Sequence, residues 1–291
     1  MDTTIFFLTE AQIRLGFFLG VLVIIASWEA FWPRRKRLFS RVERWPSNIG
    51  IVVLNTLVLR ILFPFAAVGV AEYASANQLG VLNQYNFGIT LEILVAILVM
   101  DAAIYFQHVM FHAVPVFWRL HRVHHADPDF DVTTGARFHP VEIILSMLIK
   151  FAVIIFLGPA AVAVIIFEIL LNATAMFNHG NISIPVNLDK YLRLLVVTPD
   201  MHRVHHSVEI NETNSNFGFN LPWWDRIFGT YRAQPQAGHD NMTIGLTTFT
   251  EKNEITKLSG MLLIPFRKEA HIYPLNRGTY QASGHHADDN K

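Results

Sequence analysis

Four long apolar runs organise the chain: about Leu15 to Trp32, Ile49 to Ala71, Leu91 to Ala113, and Val141 to Phe177. Each approaches or reaches the length needed to cross roughly 30 Å of hydrocarbon as helix. The last is long enough for two spans, and "LGPA" at Leu157 to Ala160 supplies a break, because proline removes a helical donor and glycine tolerates a bend. A tight helical hairpin is predicted there. From about Pro185 the chain turns polar. The pattern predicts an all-α integral membrane protein with about four transmembrane helices and a helical cap on one side of the membrane.

Composition strengthens this reading. With 52% hydrophobic residues, 23 Phe and 16% charged residues, the chain is too apolar for an ordinary soluble domain of its length. Basic residues beside the spans set the orientation. "PRRKRLFSRVERW" carries Arg34, Arg35, Lys36, Arg37, Arg41 and Arg44, whereas Ser75 to Gly88 has no Lys or Arg. The first segment is expected in the cytoplasm, the second across the membrane, and the cap with the polar C-terminal part on the cytoplasmic side. Beyond topology, the basic segment reads as an anionic-lipid contact. Asp2 and Glu10, with no basic leader and no small-residue cleavage site, predict a retained anchor and not a cleaved signal. The absence of cysteine fits a reducing compartment without requiring one. Zero formal net charge and no basic stripe interleaved with aromatics exclude nucleic acid as a partner.

Candidate chemistry lies in the histidines, of which there are 14. The pentapeptide "HRVHH" occurs at His121 to His125 and again at His202 to His206. His108 and His112 in "YFQHVMFHAVP" are spaced i,i+4 and share a helical face, and Pro115 ends that helix just beyond them. His121, His124 and His125 form an HxxHH set, as do His202, His205 and His206. A lone histidine near a span is usually a packing residue. So many imidazoles close together could not all stay neutral and satisfied without a shared partner, and mutual repulsion opposes protonating them. A metal resolves the conflict. One tetrahedral zinc needs only four ligands, and the zinc motif HExxH is absent. Eight or nine imidazoles can supply two adjacent first-row metals with positions left open, and two irons able to bind O2 are the natural candidate, with zinc as a substitute in expressed protein.

The order HxxxH, HxxHH, HxxHH at the ends of membrane helices resembles the fatty acid hydroxylase and sterol desaturase superfamily of membrane di-iron enzymes. "HRVHHSVEINETNSNFGFNLPWWDRIFGTY" is similar to the end of that superfamily's third box, and the resemblance covers roughly Asp101 to Tyr231. It implies a further ligand between the boxes, a part His179 in "ATAMFNHGN" can play, although Ala175 stands where some hydroxylases carry a histidine. The implied metal set is then His108, His112, His121, His124, His125, His179, His202, His205 and His206, with no catalytic residue beyond the ligands. The implied organisation is N-terminal transmembrane helices in 1–90, a histidine-box catalytic core in 91–235 and a polar tail in 236–291. The implied reaction is O2-dependent hydroxylation or desaturation of a fatty acyl, sterol or related lipid. No nucleotide fingerprint and no fused haem carrier is present, so electrons would come from an external donor of cytochrome b5 or ferredoxin type.

Other residues keep alternative readings. Asp101, two turns before His108, is either an acceptor orienting an imidazole or a partner for a neighbouring span. His139 is a ligand, a donor behind one, or a helix cap. Glu209 and Glu212 are either acceptors behind an imidazole or, the simpler reading, solvated loop residues. Trp223 and Trp224 line a lipid path or, more commonly, anchor the membrane interface. Asp225 and Arg226 organise a turn, and His285 and His286 lie in a polar terminus irrelevant to chemistry. Competing functions are a metal transporter, which would place its histidines along a path through the bilayer, and a catalytically inactive lipid-binding relative.

Overall fold

The computed structural model describes residues 9–85, 87–268 and Leu275. His285 and His286 lie outside the described residues. The first apolar run is α1 (Glu10–Phe31), closed at its start by Thr9 and Gln12 in a reciprocal cap. The second begins earlier than its apolar residues do, as α2 (Arg41–Leu62). It breaks at Pro64 and resumes as α3 (Ala66–Ala76), since proline cannot donate the next helical bond. The third run is α4 (Ile89–Ala113). It stops where Val114 turns extended before Pro115, which opens α5 (Pro115–His125).

The predicted hairpin is borne out: α6 (Pro140–Leu157) and α7 (Ala161–Asn178) flank the Leu157–Ala160 break. Gly158 there has φ +69°, and a Cβ on it would lie 2.4 Å from the Leu79 carbonyl oxygen, so glycine is required both by conformation and by the close approach of the residue 79–80 backbone. Among the described residues five helices are long and apolar enough to cross a membrane, where about four were expected, and the hairpin supplies two of them. Among the described residues there are helices and two isolated bridges but no strand, so the all-α expectation holds.

α1 packs on α7, α4 on α5, α6 and α7, and α2 on α6. The cap grows from the end of the bundle where α4 stops and α6 starts. It contains α5, then α8 (Val186–Leu192), α9 (Pro199–His205), α10 (Ile210–Thr213) and α11 (Trp223–Ile227). α5, α6 and α9 all open on proline at their first turn, where a missing N–H costs nothing. The segment 237–268 stays in the cap: Ile255, Met261 and Ile264 bury against Trp118 of α5 and Ile51 of α2.

Buried charges tie the cap to the bundle. Arg44 of α2 is fully buried, clasping Asp127 through Nε (2.9 Å) and Nη2 (2.6 Å) and Asp131 through Nη1 (2.6 Å). Glu29 of α1 accepts the backbone N–H groups of Val132 and Asn181 at 2.7 and 2.9 Å. The basic segment therefore does more than set topology. Arg41 pairs with Glu29, Arg44 with the aspartates, and Arg34 with Asp200 and Asp240.

Candidate metal centre

Nine histidines converge in the cap in two buried groups, each with ligating nitrogens within 4.8 Å of one another: His108, His112, His121, His125 and His205 in the first, His124, His179, His202 and His206 in the second. α4 presents His108 and His112 from one face, α5 and α9 bring the two pentapeptides, and His179 follows the end of α7. The repeat has a reciprocal logic. From the first pentapeptide, His121 and His125 enter the first group and His124 the second. From the other, His202 and His206 enter the second group and His205 the first. In each, the i,i+4 pair faces one centre and the histidine between them reaches the other.

The hydrogen bonds behind the rings fix which nitrogen faces inward. Nδ1 of His108 donates to the Phe217 carbonyl (2.8 Å), that of His205 to the Ser215 carbonyl (2.8 Å), and that of His179 to the Ala175 carbonyl (2.8 Å). Nδ1 of His121 meets the Glu142 carboxylate at 2.6 Å, and Nδ1 of His112 meets Asn214 Oδ1 at 3.1 Å. A neutral imidazole whose Nδ1 carries the proton presents a lone pair at Nε2. Yet the Nε2 atoms of His108 and His121 lie 3.1 Å apart, as do those of His179 and His124 and of His179 and His202. With Nδ1 of His121 donating to the Glu142 carboxylate and Nδ1 of His108 to the Phe217 carbonyl, this sets lone pair against lone pair between His108 and His121, an arrangement that a cation between them satisfies. Nε2 of His112 and His205 and both nitrogens of His125 and His206 are buried with no hydrogen-bond partner. Burial lowers His121 and His179 to about 3. Burial first, and then neighbouring imidazoles, hold His124, His125, His202 and His206 well below the ordinary value. The rings are thus kept in the neutral form that binds metal. The donor set fits two imidazole-bound metal ions.

Glu142, at the start of α6, carried no signal in the sequence beyond an acid in a helix's first turn, a place acids favour anyway. It is buried, and its second oxygen has no partner. Glu142→Gln is expected to cost 10–100-fold in metal affinity or activity, the usual range for the group behind a ligand. Metal content after dialysis checks it, and unchanged retention would make Glu142 a packing residue.

Asp101 follows neither expected reading. Its carboxylate accepts from Trp224 Nε1 (2.8 Å) and from the N–H groups of Asn220 (3.3 Å) and Leu221 (3.2 Å), so it holds the loop whose Phe217 carbonyl orients His108. Trp224 is tied to this loop, while Trp223 is exposed and donates to the Leu194 carbonyl. Asp225 organises its turn as expected, accepting from the N–H groups of Phe217 and Gly218 at 2.8 Å. His139 is the cap of α6, its Nδ1 accepting from Val141 N–H at 3.2 Å. Glu212 is buried and accepts from Gln236 N–H, against the solvated reading; Glu209 is exposed.

The fatty acid hydroxylase family model matches residues 93–230, a stretch that holds all nine histidines. The chain is 24% identical over 258 residues to ornithine lipid hydroxylase OlsE of Rhizobium tropici, covering 87% of this chain and 76% of that protein. It is 28% identical over 159 residues to alkylglycerol monooxygenase of Homo sapiens (53% of this chain, 34% of that protein) and 26% over 155 residues to that of Xenopus tropicalis (52% and 32%). The chain thus spans about a third of the length of the alkylglycerol monooxygenases. No solved structure matches. The superfamily resemblance read from the three boxes is borne out.

Proposed function

We propose, from the premise that this chain belongs through residues 93–230 to the fatty acid hydroxylase family, that its nine clustered histidines hold two iron ions and that it uses O2 to hydroxylate a membrane lipid. The family and the named activities of the relatives make it an oxygen-dependent lipid oxidoreductase. The observation that carries the iron reading is the pair of Nε2 lone pairs facing each other at 3.1 Å between His108 and His121. First-row metals favoured by imidazole satisfy it; of the two that handle O2, iron and copper, iron is the one that the resemblance to membrane di-iron enzymes implies.

His108, His112, His121, His125 and His205 would hold one ion and His124, His179, His202 and His206 the other. Bound iron with O2 supplies the oxidant that breaks an alkyl C–H bond, which no side chain provides. The residues supply orientation and dryness. Glu142, the Phe217 and Ser215 carbonyls and the Ala175 carbonyl hold ring nitrogens inward, and Asp101 and Asp225 fix the 217–224 loop behind them. The catalytic core would be 91–235, facing the cytoplasm, with electrons from an external donor of cytochrome b5 or ferredoxin type. Nine histidines gathered at one end of the bundle argue against a transport path through it, and the complete set argues against an inactive relative.

Protein purified anaerobically with iron supplied is expected to hold close to two irons per chain and to add one oxygen atom to a lipid under O2 with reductant. One zinc and no iron under those conditions would sink the reading. Topology is checked separately: reporters fused after Ser40, Val132 and Ala237 should report the cytoplasm, and one near Asn83 the opposite side. A translocated signal at Val132 would overturn the orientation.

A further inference from the structure

A cavity of about 770 Å³ opens in the cap where the connection between α1 and α2, the chain just after His125 and the segment around Met242–Ile255 meet. Its charge is one-sided. Arg35, Lys36 and Arg37 line it against one carboxylate, Asp129, whose oxygens are already taken by the N–H groups of Leu38 (2.7 Å) and Phe39 (2.8 Å). Arg35 donates through Nη2 to the Met242 carbonyl at 2.6 Å, while its Nη1 is buried with no hydrogen-bond partner. A buried guanidinium nitrogen left unbonded is costly, so the cavity is short of an anion. The remaining wall is largely apolar, built by Leu38, Phe39, Phe130, Ile244, Leu246 and Phe249.

The mouth carries the residue pattern of a bilayer interface. Phe31, Trp32, Leu38 and Val42 flank the basic residues along the chain at the end of α1 and the start of α2, and all are exposed. Large apolar side chains beside cations at the end of a membrane helix belong at the bilayer interface. Toward the histidines the cavity is closed: Ala126 and Phe130 are buried, and the Phe130 ring lies 5.4 Å from His179 and 5.1 Å from His206.

We propose that this cavity binds the head of an anionic phospholipid, its phosphate on Arg35 with Lys36 and Arg37 at the rim and the upper part of its chains on the apolar wall. The phosphate completes the bonding of Arg35, and the apolar wall accounts for a lipid in place of a free anion. Because Phe130 closes the way to the second histidine group, this lipid is a bound effector and not the reacting molecule. It braces the wall that follows directly from His125.

The full chain is reconstituted in nanodiscs of phosphatidylcholine with or without phosphatidylglycerol, and retained lipid and thermal midpoint are measured. Phosphatidylglycerol is expected to be retained selectively and to raise the midpoint, as any ligand of the folded state does. Replacing Arg35, Lys36 and Arg37 by Gln should weaken retention roughly fivefold per cation. Thr243→Trp fills the cavity from an exposed lining position without changing charge and should weaken it as well. Undiminished retention by Thr243→Trp would reduce the effect to loose surface charge and overturn the site. So would a wild-type chain that holds phosphatidylglycerol no better than phosphatidylcholine, or inorganic phosphate raising the midpoint as much as the lipid. Retained phosphatidylglycerol carrying an added oxygen would make it substrate and overturn the effector role. Loss of binding to an acidic electron-donor protein in the glutamine variant, with lipid retention intact, would make the basic mouth a protein-docking face instead.

Discussion

His205→Ala and His124→Ala are each expected to abolish turnover and to leave about one metal per chain in place of two, with a different ion lost in each variant. The expectation comes from the exchange between the two pentapeptides. His205 belongs to the set with His108, His112, His121 and His125, whereas His124 belongs to the set with His179, His202 and His206. Removing either takes one imidazole from one centre and leaves the other set whole. Membrane insertion should survive, because the apolar spans that drive it are untouched. Metal analysis with iron spectroscopy on the two variants distinguishes this from histidines that merely pack. Packing would give modest instability, graded activity and unchanged metal in both. His179→Ala is the intermediate case: its ring donates to the Ala175 carbonyl and faces His124 and His202 at 3.1 Å, so loss of the second ion is expected. Full metal and turnover there would remove His179 from the set and leave the other eight.

What was legible in the sequence was local and periodic. Membrane helices announce themselves by length and apolarity, and the i,i+3 and i,i+4 spacing of His121, His124 and His125 fixes where three rings point on α5 whatever surrounds it. Pro115 marked the end of the helix that carries His108 and His112, because the residue before a proline is pushed out of the helical region. The illegible part was every partner brought by the chain folding back over long separations. Glu142 meets His121 across 21 residues, Phe217 meets His108 across 109, and Asp101 reaches Trp224 across 123. Asp101 illustrates the limit. Its helical phase with His108 made it a natural partner for an imidazole, yet a loop absent from any local pattern took its oxygens first. The basic run from Arg34 to Arg44 likewise looked uniform, because charge counting cannot tell an arginine at the lipid surface from Arg44, sealed among aspartates.

That seal makes Arg44→Met the substitution expected to damage the fold most. Its guanidinium bonds Asp127 through two nitrogens and Asp131 through the third, with Thr134 at 3.3 Å, and neither aspartate has any exposure. Arg137 approaches Asp127 only to 3.8 Å, and Asp131 would keep just the neutral donors of Trp45 and the Thr133 backbone and hydroxyl. Methionine fills similar space but leaves two carboxylates buried without their cation, and breaking a buried pair from one side typically costs about 3–5 kcal/mol. Because Asp127 follows His125 by two residues, the loss should appear both as a lower thermal midpoint and as poorer metal retention. Charge imbalance is separated from lost shape by a second variant, Arg44→Met with Asp127→Asn and Asp131→Asn, which removes the stranded carboxylates. It should recover much of the midpoint even if the single variant fails to accumulate. A single variant that melts with the wild type, or a combined variant no better than the single one, would show that the aspartates do not depend on Arg44 for their burial.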